Sequence, residues 1–198
     1  MLFVLGFLPF AVVHAQSDRV VIGTNVGDIV IELFEDRAPE SVNNFRQYVK
    51  DGFYTGTIFH RVIDGFMIQG GGYTADFRKK STRTAIPNEA NNGIKNQKYT
   101  VAMARTSDPH SATSQFFINT TDNDFLNHTG MNMRGWGYAV FARVVEGHDI
   151  VDQIGQTRTS SGGPFARDVP VDTITINRAE LVEPASEKPP VAEARAGQ

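Results

Sequence analysis

Residues 56–182 form a succession of short β-branched and aromatic runs broken by glycine, proline and Asn/Asp clusters, a pattern that leaves few architectures open. The runs are TIFHRVI (57–63), FMIQG (66–70), YTVAMA (99–104), SQFFINT (114–120), YAVFARVV (138–145) and VDTITINRAELV (171–182). Each has strand composition. Two more, RVVIGT (19–24) and DIVIELF (28–34), flank Asn25-Val26-Gly27 and read as a hairpin. Only two stretches have helical spacing. In APESVNNFRQYVKDGFY, Pro39 suits a first helical turn, Glu40 favours the helix dipole, Val42, Phe45 and Val49 share a face, and Gly52 terminates. The second is GHDIVDQIG (147–155), with Ile150, Val151 and Ile154 on one side. Many closely spaced strands with two helices imply an antiparallel barrel or sandwich rather than alternating βαβ units.

The chain has 198 residues, enough for one domain with a sizeable core. It contains no cysteine, which excludes thiol catalysis, disulfides and cysteine-ligated zinc. A net charge of −3 gives no footprint for nucleic acid, and the Arg78-Lys79-Lys80 run reads as a solvated loop. The five histidines, at 14, 60, 110, 128 and 148, have no ligand spacing, so no metal is implied. No G-x-S-x-G elbow, H-E-x-x-H or lysine-bearing phosphate loop occurs, and no cofactor is expected. QGGGY (69–73) reads as a turn needing positive φ.

The N-terminal segment MLFVLGFLPFAVVHAQS is apolar from Leu2 to Val13 and offers Val13-His14-Ala15 as a small-residue processing site. It predicts a signal peptide over 1–15 and a periplasmic protein, with an uncleaved anchor or a cytoplasmic location as alternatives. It is shorter than the roughly 20 residues of a membrane span, so stable membrane insertion is not expected. Residues 16–182 then form the domain. The tail 183–198, with three prolines and no aromatic residue, reads as disordered.

What chemistry remains lies in polar residues set among apolar ones. In FHRVIDGFMIQGGG (59–72), alternation puts Arg61 on the face opposite His60 and Val62, while Met67 and Gln69 share a face and Ile68 takes the other. His60 reads as a hydrogen-bonded residue in or near the core. VAMAR (101–105) supplies Met103, Ala104 and Arg105, and SATSQFFIN (111–119) puts Gln115 and Phe117 on one strand face. DNDFLNH (122–128) places Phe125 and Leu126 in a loop. Together these predict a shallow apolar pocket with an arginine and a glutamine at its rim.

The stretches FHRVIDGFMIQGGG, VAMAR followed by SATSQFFIN, and GYAVFARVVEG, in that order and spacing, resemble the cyclophilin family of peptidyl-prolyl cis–trans isomerases. The similarity runs from about Val20 to Leu181, and with the apolar leader it is greatest to the bacterial periplasmic branch. The resemblance implies a mainly β fold: a closed eight-stranded antiparallel barrel capped by two helices, with its groove on the outer face. It implies Arg61 as the catalytic arginine. Phe66, Met67, Phe117 and Leu126 would line the proline pocket, and Gln69, Ala104, Arg105 and Gln115 would hold the flanking backbone. Phe125 stands where eukaryotic members carry tryptophan, and Tyr138 where they carry histidine; both keep an apolar body in the substrate site. The Trp-to-Phe exchange removes an indole N–H that family members direct at cyclosporin. The implied partners are proline-containing polypeptides, unfolded or partly folded, and no heptad pattern points away from a monomer. A proline-binding adaptor with little catalysis and a small-molecule carrier barrel are the competing readings. The stretch NHTGMNMRGWG (127–137), with Trp136, matches no motif.

Overall fold

The computed structural model describes residues 18–182. The expected leader (1–15) and C-terminal tail (183–198) lie outside the described residues. Ten strands and two α-helices follow one another as β1 (Arg19–Thr24), β2 (Gly27–Leu33), α1 (Pro39–Lys50), β3 (Thr57–Ile63), β4 (Met67–Thr74), β5 (Thr100–Met103), β6 (Phe116–Asn119), β7 (Val140–Glu146), α2 (His148–Gly155), β8 (Thr159–Gly162), β9 (Phe165–Pro170) and β10 (Ile176–Leu181). Eight strands form one antiparallel sheet in the order β10-β1-β2-β7-β5-β6-β4-β3, and β8 and β9 form a separate hairpin.

The sheet curls into a barrel that nearly closes. Its end strands, β3 and β10, share no continuous ladder. They are joined by an Ile58–Thr175 bridge and by backbone bonds from Gly56 N to Ile176 O (2.8 Å) and Phe59 N to Ile174 O (2.9 Å). The full closure expected from the resemblance is therefore overstated, because the strand-like run from 171 does not enter the ladder until Ile176.

Alternation gives the middle strands two apolar faces. Inward, Phe59, Val62, Ile68, Val101, Phe116, Ile118 and Phe141 join Val42 and Phe45 of α1 in the main core. Outward, Met67, Ala102, Phe117, Leu126 and Val140 form a second, smaller cluster. A one-sided sheet would be polar there, so this second cluster marks the working face.

Two local features depart from the sequence reading. β3 carries one extra residue: Phe59 pairs with Gly70 and Arg61 with Gln69, leaving His60 bulged. Strict alternation would put Phe59 and Arg61 on one face; the bulge sends Phe59 into the core and Arg61 outward. It also takes His60 away from Val62. Its ring packs against Tyr73 and Phe165, and its Nδ1 has no hydrogen-bond partner. The glycine run, read as a turn, belongs to β4. Gly71 does have positive φ (78°), and a Cβ there would approach the rings of Tyr54 and Phe116 to 2.8 and 3.0 Å.

Candidate active site

The site is built on one cross-strand row. Arg61 of β3 lies opposite Gln69 of β4, Gln69 opposite Phe117 of β6, Phe117 opposite Ala102 of β5, and Ala102 opposite Val140 of β7. Phe117, Ala102 and Val140 make an apolar floor, and the Arg–Gln pair stands at its edge. Met67 follows the Asp64–Phe66 turn, where Gly65 has φ 65°. The Phe66 carbonyl accepts from Thr120 N (3.0 Å) and Asn123 Nδ2 (2.9 Å), which ties this turn to the chain beyond β6.

The opposite wall comes from the segment between β6 and β7. Phe125 and Leu126 sit in a 3-10 turn, Asp124–Leu126, and Tyr138 N donates to Leu126 O at 3.0 Å. Asn96, only 1% exposed, donates from Nδ2 to the carbonyls of both Leu126 (3.2 Å) and Tyr138 (3.3 Å). Nothing in the sequence pattern singled out Asn96, since a lone asparagine in a polar segment carries no periodic signal. Arg105 donates from Nε to Gly137 O (3.0 Å) and lies over the Tyr138 ring at 4.5 Å; that ring meets Phe117 edge-on at 5.6 Å.

These groups enclose a depression of about 170 Å³ lined by Arg61, Phe66, Met67, Gln69 and Ala104, with Arg105, Phe117, Leu126 and Tyr138 completing it. Two residues expected at the site lie at its margin. Gln115 lines an adjoining depression of about 320 Å³ that shares Gln69, Ala104 and Arg105 with the first. Phe125 is 75% exposed and stacks on Phe66 at 5.5 Å, forming an outer lip.

The polar edge is a chain of contacts. Gln69 Nε2 donates to Gln115 Oε1 (3.0 Å), and Arg61 Nη1 donates to Gln69 Oε1 (3.3 Å). Arg61 Nε lies 3.9 Å from Asp168 Oδ2 on β9. The Arg61 side chain remains 43% exposed and open to the depression. Neither Asp168 nor its hairpin figured in the sequence reading. Behind Arg61, His60 is held neutral: its pKa is pushed down to about 4, chiefly by burial, which the Ile58 backbone opposes in part and the nearby Arg61 cation assists.

Residues 19–181 match the family described as cyclophilin type peptidyl-prolyl cis-trans isomerase/CLD. The chain belongs to the cyclophilin family. Among its relatives, peptidyl-prolyl cis-trans isomerase B of Escherichia coli is 56% identical over 160 residues, 81% of this chain and 97% of that one. Peptidyl-prolyl cis-trans isomerase A of Dickeya dadantii is 47% identical over 182 residues, 91% and 94% of the two chains. A crystal structure of a Cryptosporidium parvum cyclophilin, obtained in the presence of the dipeptide Ala-Pro, is 27% identical with a TM-score of 0.67, covering 84% of this chain and 99% of that one. This cyclophilin is a peptidyl-prolyl cis–trans isomerase, with bacterial relatives at 47–56% identity.

Proposed function

We propose that this isomerase accelerates rotation about X–Pro bonds in polypeptide clients by holding the proline ring in the apolar depression and presenting Arg61 to the twisted amide. The barrier is roughly 18–20 kcal/mol because resonance gives the C–N bond double-bond character. No bond is made or broken. A quarter turn breaks the resonance, and the prolyl nitrogen becomes pyramidal and regains a lone pair. A donor that meets this nitrogen, or the carbonyl following the proline, binds the twisted state better than either planar isomer, which is the condition for rate acceleration.

Arg61 is permanently charged, rigid in its fork and tethered to a neutral glutamine, so it keeps N–H groups for a substrate. That exposed guanidinium at the edge of the Phe117 floor is the observation that carries the reading. A gain of about 10⁵ in rate corresponds to about 7 kcal/mol. One charge-assisted hydrogen bond supplies about 2–3 kcal/mol. Immobilising the ring against Phe66, Met67, Phe117 and Leu126 supplies the remainder through orientation and exclusion of water. Gln69, Gln115, Ala104 and Arg105 hold the backbone on one side while the other rotates.

The test is Arg61→Ala in a protease-coupled assay on an Ala-Pro peptide. Turnover should drop at least 100-fold while peptide binding is partly retained, and unchanged turnover overturns the role. We also propose that the apolar leader directs export to the periplasm, where mass spectrometry should find a mature chain starting at Gln16.

A further inference from the structure

We propose that Asp168 is a positioning residue for this reaction: its carboxylate fixes the Arg61 guanidinium in the plane from which it meets the substrate. The inference rests on the role of Arg61 given above.

Three observations converge on it. First, the contacts to Arg61 come from opposite ends of the guanidinium. Gln69 takes Nη1 at 3.3 Å, and Asp168 faces Nε at 3.9 Å. A planar fork hydrogen-bonded at Nη1 and facing a carboxylate across 3.9 Å at Nε is biased to one orientation about its long axis, with the N–H groups of Nη2 directed at neither partner.

Second, Asp168 lies inside β9 with φ 67°, a left-handed conformation uncommon for any residue but glycine and tolerated best by Asn and Asp. The β8–β9 turn itself is made by Gly163-Pro164; Asp168 lies beyond it in a bulge, where Ala166, Arg167 and Asp168 face Ser161 alone and the strand is re-aimed. The conformation at 168 leaves a half-buried carboxylate facing Arg61.

Third, the hairpin is a fixed platform. Phe165 packs on His60 at 5.4 Å and on Tyr73 at 5.1 Å, so the strand bearing Asp168 is seated on the bulge that turns Arg61 outward. Phe77 closes over Gly163, where a Cβ would come within 2.3 Å of its ring. Asp168 also faces Arg167 Nε at 3.6 Å, but that side chain is 87% exposed and offers the carboxylate only a solvated partner.

A partly exposed ion pair contributes little to folding stability. Orientation and stability therefore separate. Asp168→Gly and Asp168→Asn both suit the left-handed backbone and remove the charge, so either can be read without strain. In the coupled Ala-Pro peptide assay, both should lower kcat about three- to ten-fold with KM within two-fold and an unchanged melting temperature. Nitrogen-15 NMR should show the Arg61 Nε–H signal broadened, or exchanging faster with water. In an Arg61→Ala background, Asp168→Gly should have no further effect. Arg167→Ala should stay within two-fold of wild type. Wild-type kcat in both Asp168 variants overturns the proposal while leaving the role of Arg61 intact, provided that Arg61→Ala is inactive. An active Arg61→Ala enzyme overturns the reading beneath it. An equal loss in Arg167→Ala would mean that any disturbance of β9, and not the Asp168 carboxylate itself, governs the rate, and also overturns it.

Discussion

Arg61 reaches its strand neighbour Gln69 through one hydrogen bond, Nη1 to Oε1 at 3.3 Å, and the opposite end of that carboxamide is engaged by Gln115. The amide is therefore held in one orientation, with its oxygen toward the cation. Replacing it with the isosteric carboxylate, Gln69→Glu, turns a weak tether into a charge-assisted pair that competes with substrate for the guanidinium. A loss of about ten-fold in kcat/KM is expected, corresponding to about 1.4 kcal/mol of transition-state stabilisation. The melting temperature should hold, and steady-state kinetics beside a thermal melt distinguish the two effects.

Gly72 makes room for the other end of this chain. A Cβ at 72 would lie 2.5 Å from Cγ and 2.6 Å from Cδ of Gln115. The φ of Gly72 is not in the left-handed region, so alanine is acceptable to the backbone and the clash is with the side chain alone. Gly72→Ala should displace Gln115, release Gln69 and raise KM for a proline peptide several-fold, with stability lowered by about 1–2 kcal/mol for the overpacking. The double variant Gly72→Ala/Gln115→Ala should recover the stability but not the affinity, a pattern that denaturant melts and peptide titration resolve.

The outward row from Arg61 to Phe117 was legible in outline because strand alternation separates Met67 and Gln69 from Ile68, and Gln115 and Phe117 from Phe116. The bulge at His60 was not, since period-2 reasoning assumes that no residue is skipped. The outcome was the correct face for Arg61 but the wrong company for His60. The β8–β9 hairpin escaped because TSSG offers exposed, polar positions with little strand propensity, and only the Gly162-Gly163 pair signalled a reversal. Asp168 escaped with it: its nearness to Arg61 depends on a long-range packing of Phe165 that no local pattern encodes.

Asn96 is the clamp on the distal wall. Its buried amide serves the carbonyls of Leu126 and Tyr138, its Oδ1 accepts from Asn119 Nδ2 at 3.3 Å, and its backbone N–H donates to Asn127 Oδ1 at 2.7 Å. Asn96→Leu would take the Asn96 donor from the part-buried Tyr138 carbonyl and leave the Leu126 carbonyl with Tyr138 N–H alone, at a cost of about 1–3 kcal/mol. Leu126 and Tyr138 would then be joined only by the Tyr138 N–Leu126 O bond at 3.0 Å, and the wall they form would lose its anchor to Asn96. The expected result is a lower denaturation midpoint together with weaker peptide binding. The binding loss should persist at temperatures well below the transition, where nearly all molecules are folded.

His60 should make the protein acid-sensitive in a defined window. The native imidazole, 3% exposed between Tyr73 and Phe165, titrates near 4, chiefly because burial disfavours its charged form, whereas in the unfolded chain it titrates near 6.5. Between those values the unfolded state binds a proton that the native state refuses, so unfolding becomes easier as pH falls from about 6.5 to about 4. Below the native value both states are protonated and this component stops growing. The gap corresponds to about 3 kcal/mol at most. His60→Phe keeps a ring in the Tyr73–Phe165 contact and removes the titration. Urea unfolding at pH 7 and pH 4.5 should show the wild type losing about 2 kcal/mol more than the variant, the carboxylates contributing equally to both. Identical losses would assign the acid sensitivity to another group.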